Sequence, residues 1–198
     1  MPWQNPELMK KHYPNIILIS GTGSNVGKTT LSCRIIEQFV HLGIVAVKIT
    51  PHWHPQPDNI PVLLKEDHLL IIRENNLNSA KDSSRMLRSG ARQVYFVQNT
   101  VDKGLLKAFP AIINEIGPAR PMVIESAALG QFIRPAVHFH ITRPSSLTHK
   151  LQNSGIPIDY IVSFDGESFD FDLNNIRWVN NEWIIEPQKK EPTHVKPI

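Results

Sequence analysis

Residues 15–36 read NIILISGTGSNVGKTTLSCRII, and the fold turns on how that stretch divides. It opens on the aliphatic run Ile16–Ile19, the mark of a strand buried on both faces of a parallel sheet. Gly21 to Gly27 is too rich in glycine and small polar residues to continue a strand. From Lys28 the apolar positions Leu31, Ile35, Ile36, Phe39 and Val40 recur at helical spacing, which predicts a helix from Lys28 to about His41 with Gly43 as its stop. A strand, a glycine-bearing turn and a helix beginning at Lys-Thr bring backbone N–H groups and a helix N-terminus to one point, where the macrodipole favours an anion. Lys28 adds a point charge for the β- and γ-phosphates, and the Thr29 hydroxyl is placed to hold Mg²⁺. The candidate nucleotide-binding residues are therefore Gly23, Ser24, Asn25, Val26, Gly27, Lys28, Thr29 and Thr30. Glycine turns before helices also arise for purely structural reasons, but the full strand–loop–helix context favours a phosphate site. The loop is one residue longer than the common pattern, with five residues between Gly21 and Gly27.

Outward from this stretch, short apolar runs alternate with helical patterns. Strands are expected at Ile44–Ile49, Val94–Val97, Met122–Glu125, Val137–Ile141 and Ile158–Ser163, with a helix beginning near Lys81 and another across 103–117 that Pro110 should kink. The alternation predicts an α/β P-loop fold, a mostly parallel sheet with helices on both faces. Two segments depart from it. Residues 60–74 read as a hairpin turning at Lys65-Glu66-Asp67, and 176–185 as a hairpin turning at Asn180-Asn181. A single domain over 1–198 is expected, with an N-terminal extension at 1–14 and a flexible tail at 187–198.

The chain has 198 residues, 41% of them apolar, enough for one sizeable core. Lys and Arg exceed Asp and Glu by only 21 to 18, scattered along the chain, which argues against nucleic acid and anionic membranes as partners. The N-terminus lacks the apolar segment of a secretion signal and no run is long enough to span a bilayer, so a cytoplasmic location is expected. The single cysteine, Cys33, sits at a helical core position and is read as packing.

Glu125 ends an apolar strand, and in open parallel sheets the carboxyl ends of strands face the ligand crevice. There it can hold Mg²⁺ or orient a water, so Lys28 and Glu125 are the candidate catalytic residues, and Thr29 and Glu125 the candidate Mg²⁺ ligands; a plain strand-end glutamate is the alternative. Lys48 closes another strand in the same layer. His52 and His54 have a His-x-His spacing, but no further ligand lies near in sequence, so contact with an anion or substrate is preferred to zinc. Asp82, a short acidic residue in the first turn of a predicted helix, complements its dipole. His138 and His140 alternate on a strand and are expected to pack or hydrogen-bond. Lys48, His52, His54 and Asp82 form the candidate substrate set.

The longer loop resembles the Gly-Thr-Asp-Thr-x-Val-Gly-Lys-Thr loop of dethiobiotin synthetase, with Gly23 and Ser24 in place of that family's Asp and Thr. KDSSRMLRSGARQ (81–93) is similar to the Lys-Asp-Ser, Arg, Ala-Gly-Ala-x-Gln run of the molybdopterin-guanine dinucleotide biosynthesis protein B family. GIVAVKITPHWH resembles that family's strand ending in a lysine and a histidine-rich turn, and MVIES stands at its strand ending in Glu-Gly, with Ser126 replacing the glycine. The resemblance covers about residues 15–143 and implies ATP or GTP with Mg²⁺, in a P-loop protein of molybdenum-cofactor maturation; it also suggests that Asp82 lies across the crevice from the nucleotide, in reach of Mg²⁺ or the second substrate. No Asn-Lys-x-Asp guanine reader is present, and SFDG (163–166) is the candidate stretch near the base. The expected function is Mg²⁺-dependent hydrolysis or phosphoryl transfer to a small acceptor. The alternatives are a nucleotide-binding adaptor that presents the 60–74 hairpin to a partner protein or a second copy in a homodimer and, ranked lower, a dethiobiotin-synthetase-like ligase.

Overall fold

Ile16, Ile17, Leu18 and Ile19 are all fully buried, which a strand achieves only when both of its faces are covered. They lie in β1 (His12–Gly21) of a computed structural model that describes residues 10–57, 59–144 and 156–187. The chain continues through α1 (Lys28–Gln38), β2 (Val45–Thr50), β3 (Val62–Glu66), β4 (Leu69–Arg73), α2 (Asp82–Arg88) and β5 (Gln93–Asn99). Then come α3 (Leu105–Ile116), β6 (Met122–Glu125), β7 (Arg134–Thr142), β8 (Tyr160–Ser163), and a hairpin of β9 (Ile176–Val179) and β10 (Glu182–Ile185).

Eight strands form one sheet in the order β3-β4-β5-β2-β6-β1-β7-β8. All neighbours from β5 to β8 run parallel, and β3 and β4 extend that edge antiparallel. The fold is thus α/β with a mostly parallel sheet. The insertion of β6 between β2 and β1 matters most: Glu125 is in register with Lys48 on one side and Ile19 on the other, so the ends of these strands share one rim with the loop that follows β1.

Alternate residues of the strands enter two cores, as the period of a pleated strand requires. Ile17, Ile19, Ala46 and Val94 pack with Leu31, Ile35 and Ile36 of α1 and Met86 of α2. Ile16, Leu18, Val47 and Tyr95 pack with Leu105, Ala108, Phe109 and Ile112 of α3. The β9–β10 hairpin joins the first core through Trp183, whose ring meets Phe39 edge-on and whose Nε1–H donates to the Asn15 carbonyl at 2.9 Å. Asn180 and Asn181 turn it with φ of 51° and 64°, the left-handed pair of a tight hairpin turn.

Several boundaries differ from the sequence reading. β1 starts at His12, inside the expected N-terminal extension, because His12 and Tyr13 pair with the start of β7; the register shifts before Ile17, around Pro14, which has no N–H to offer the ladder. α1 ends at Gln38 and the chain tightens into a 3-10 turn at Val40–Leu42, so Val40 leaves the apolar face and is 52% exposed, while Gly43 (φ 65°) closes the segment. The 60–74 hairpin turns at Asp67-His68 instead of at 65–67, since Lys65 and Glu66 still pair with Leu70 and Leu69. α3 runs unbroken through Pro110, which is exposed. The expected tail from residue 188 onward lies outside the described residues. No helix among the described residues is long and apolar enough to cross a membrane.

Candidate functional site

The loop between β1 and α1 is pinned at both ends. The Thr22 amide donates to the Ile141 carbonyl of β7 at 3.2 Å, and Val26 buries its side chain in the core beneath α1. Gly27, which precedes α1, has φ of 102°, and a Cβ there would lie 2.6 Å from the Phe164 ring; only glycine serves both the backbone and the close approach. Asn25 also adopts a left-handed conformation, with φ of 58°. Among the described residues, no backbone carbonyl accepts from the amides of Gly23 to Gly27. Those amides and the open first turn of α1 form a cradle of donors.

Beside the cradle, Glu125 is 2% exposed. Its Oε2 accepts from the Thr29 hydroxyl at 2.7 Å, and its Oε1 accepts from Lys48 Nζ at 2.5 Å. Lys48 also reaches Asp82 Oδ2 at 2.8 Å, so one ammonium joins two carboxylates that are far apart in sequence. Burial opposes the Lys48 charge, but the Glu125 charge and the hydrogen bonds to both carboxylates outweigh it and raise its pKa. Burial likewise opposes the Asp82 charge, and the bond to Lys48 reverses the balance, leaving that carboxyl below its usual range. The Lys28 ammonium turns back onto the Gly23 carbonyl. Burial lowers its pKa, Glu125 and Asp82 act against the shift, and Lys48 adds to it.

A cavity of about 390 Å³ holds this arrangement, lined by the loop and by Lys48, Asp82, Glu125, Arg85 and Phe164. Two further crevices open on either side of Lys48. One, of about 490 Å³, runs from Gly23, Lys28 and Glu125 past His52 to Asn99, Asp102 and Gln131. The other, of about 460 Å³, takes His54, Asp82, Lys81 and Phe96. The structure therefore gathers Lys28, Thr29, Lys48, Asp82 and Glu125, and distributes His52 and His54, with ring centroids 6.4 Å apart, to two crevices that share Lys48 and Thr50. Val26 contributes only backbone to the loop surface. Gly23 has open space around it, so a side chain is sterically admissible there.

His138 and His140 sit on either side of Ser20, the residue before Gly21. Their tautomers follow from one fixed acceptor. The Pro157 carbonyl, 2.7 Å from His138 Nδ1, can only accept, so Nδ1 carries the proton and Nε2 accepts from the Ser20 hydroxyl at 2.8 Å. Ser20 Oγ then accepts from His140 Nδ1–H at 2.9 Å, which leaves His140 Nε2 as a buried lone pair with no partner among the described residues. Burial, then His138 and Lys28, depress His140 to about 4, and burial also lowers His138. Both rings stay neutral and brace the base of the loop.

Sequence reasoning gave Arg85 no role and placed Phe164 only within a stretch expected near the base. Arg85 stood in the sequence only within the Lys-Asp-Ser, Arg run of 81–93. Phe164 follows β8, and its SFDG stretch does lie against the loop, with the Phe164 ring stacked on Phe169 at 4.5 Å. Asp165, however, is held by its own turn, accepting from the Glu167 and Ser168 amides at 2.8 and 2.7 Å and from the Ser168 hydroxyl at 2.8 Å. The Asp165 carboxylate is thus engaged within its own turn. No group of three or more His, Cys, Asp or Glu arranged to hold a metal occurs among the described residues. Thr29 and Glu125 do offer the hard oxygens that Mg²⁺ takes when phosphates and waters complete its shell. No family model, no curated protein and no solved structure matches the chain.

Proposed function

We propose that the chain is a P-loop NTPase, a sheet covered by helices on both faces, that binds ATP or GTP with Mg²⁺ and either hydrolyses it or passes its γ-phosphoryl group to a small acceptor. One observation carries the reading: the Thr29 hydroxyl, in the first turn of the helix after the loop, meets the buried Glu125 carboxylate at 2.7 Å. An oxygen from the first turn of α1 and one from the end of β6 converge beside a cradle of free amides, an arrangement that packing alone does not require.

In this reading the amides of residues 23–27 and the α1 N-terminus hold the phosphate oxygens, and Lys28 leaves the Gly23 carbonyl to join them. Thr29 and Glu125 would hold Mg²⁺, which would supply charge neutralisation to the phosphates. Lys48 is positioned at the junction of all three spaces, so its ammonium meets whatever group approaches the γ-phosphate. The crevice beside His52 is the acceptor's place, because it begins at Lys28, Lys48 and Glu125. A water or acceptor hydroxyl bonds to the γ-phosphorus there as the bridging P–O bond breaks, with positioning and electrostatics lowering the barrier. A role in molybdenum-cofactor maturation rests on the sequence resemblance alone.

The adaptor reading has one observation in its favour: β3 is an edge strand, and Val62 on it is 51% exposed. Titration calorimetry with Mg·ATP and Mg·GTP, followed by phosphate-release assays, separates the two. Binding with turnover abolished by Glu125→Gln supports the enzyme; binding without turnover in the wild type supports the adaptor; and no binding removes both.

A further inference from the structure

The phosphate cavity contains a cation to which the sequence motifs attach no role. Arg85 lies on α2, three residues after Asp82, and its side chain lines the same cavity as Lys28, Thr29 and Thr30. We propose that Arg85 contacts the triphosphate directly, a guanidinium supplied in cis from the α2 side. This rests on the nucleotide reading above.

The Arg85 guanidinium is loosely held. Its nearest partners are distant: Thr30 Oγ1 at 3.4 Å and Asp82 Oδ1 at 3.7 Å. Arg88, one turn further along the same helix, is locked by the Leu77 and Ser79 carbonyls at 2.8 and 2.6 Å. The backbone carrying Arg85 is nevertheless firm. Met86 is fully buried, and Ser83 donates to the buried Glu74 carboxylate at 2.6 Å. A fixed helix therefore presents one under-coordinated fork of donors, 40% exposed, at the cavity wall.

The charges of the site explain what that fork meets. Asp82 is drawn to Lys48 at 2.8 Å, and Lys48 is shared with Glu125 at 2.5 Å, so neither carboxylate is free to neutralise Arg85 closely. The cavity lining then holds Lys28, Lys48 and Arg85 against Asp82 and Glu125, an excess of one positive charge. A planar guanidinium matches phosphate oxygens in bidentate fashion, which an ammonium does not. As the γ-phosphoryl group leaves, negative charge moves along the chain toward the β-phosphate, and a guanidinium beside Thr30 is placed to receive it.

The test compares wild type, Arg85→Ala and Arg85→Lys, using Mg·ATP and Mg·GTP as probes in calorimetry, turnover assays and thermal melts. Arg85→Ala should melt within about 2 °C of wild type, because its exposed ion pair contributes little to stability. It should bind the triphosphate about ten-fold more weakly, the effect of one charge-assisted hydrogen bond. Turnover should fall by roughly 10²-fold or more. Arg85→Lys should recover affinity in part and turnover hardly at all, a split that a merely structural role would not produce. A wild type that binds nucleotide, with an Arg85→Ala variant of equal affinity and turnover, would overturn the proposal and leave the nucleotide reading standing. A wild type that binds no nucleotide would remove that reading, and this inference with it.

Discussion

Replacing Glu125 by glutamine keeps the shape of the side chain and removes its charge, so the expected loss can be worked from two contacts. The carboxylate accepts from Thr29 through Oε2 at 2.7 Å and from Lys48 through Oε1 at 2.5 Å; glutamine keeps one acceptor oxygen for Lys48 and turns an NH2 donor toward the Thr29 hydroxyl, so neither bond retains a charged acceptor. A hydrogen bond to a charged group contributes about 1.5–3 kcal/mol and a neutral one about 0.5–1.5, so each loses about 1 kcal/mol and the pair about 2. The larger cost of about 3–5 kcal/mol for orphaning a buried charge does not apply, because Lys48 keeps Asp82 at 2.8 Å. For a chain of this size the melting temperature should therefore fall by about 4–8 °C. Calorimetric melts of the two proteins measure this directly. Nucleotide affinity should stay within a few-fold while turnover is lost, since the amide neither holds the metal well nor orients a water. A variant that melts and turns over like wild type would refute the claim that Glu125 is the centre of the site.

Three further outcomes follow from the same geometry. Lys28→Ala should fold normally, since among the described residues its ammonium bonds only to the exposed loop, and should bind triphosphate about 10–100-fold more weakly; equal affinity by calorimetry would count against the loop as a phosphate site. Gly27→Ala places a Cβ 2.6 Å from the Phe164 ring at a φ of 102°, which should destabilise the protein by about 1–3 kcal/mol and weaken nucleotide binding; adding Phe164→Ala should restore part of the stability but not the backbone strain. His140 has a folded pKa of about 4, below its ordinary value of 6.5, so the unfolded chain binds the extra proton between these values; its contribution to stability is present above pH 6.5 and lost as the pH falls toward 4. His140→Asn, which retains a donor to Ser20, should flatten the fall in melting temperature across that window, and an identical pH profile would exclude the buried neutral imidazole as its cause.

What the sequence revealed and what it concealed have a common physical basis. The strand, loop and helix of 15–36 were legible because the whole cradle is built from contiguous residues, and the Asn180-Asn181 hairpin because turn geometry is a local property. The turn of the other hairpin was misplaced by one or two residues, since pairing of Lys65 and Glu66 across to β4 decides it. Val40 followed the helical period on paper yet left the core because the helix had already ended. The site itself depends on sheet order, which no local pattern encodes. With β6 between β2 and β1, Lys48 and Glu125 become neighbours, and α2 swings Asp82 and Arg85 over them. The residues of the candidate site could be named singly, but the ammonium that bridges two carboxylates, the Arg85 contact and the Ser20–His138–His140 chain appear only once the strands are ordered.

The central claim is that the loop at 23–30, Lys48 and Glu125 form one triphosphate and metal site. A crystal structure with Mg²⁺ and a non-hydrolysable ATP or GTP analogue tests it most directly. The account predicts phosphates on the amides of residues 23–27, Lys28 turned away from the Gly23 carbonyl onto phosphate, and the metal beside Thr29 and Glu125. An analogue bound elsewhere, or a metal held by neither Thr29 nor Glu125, would contradict it.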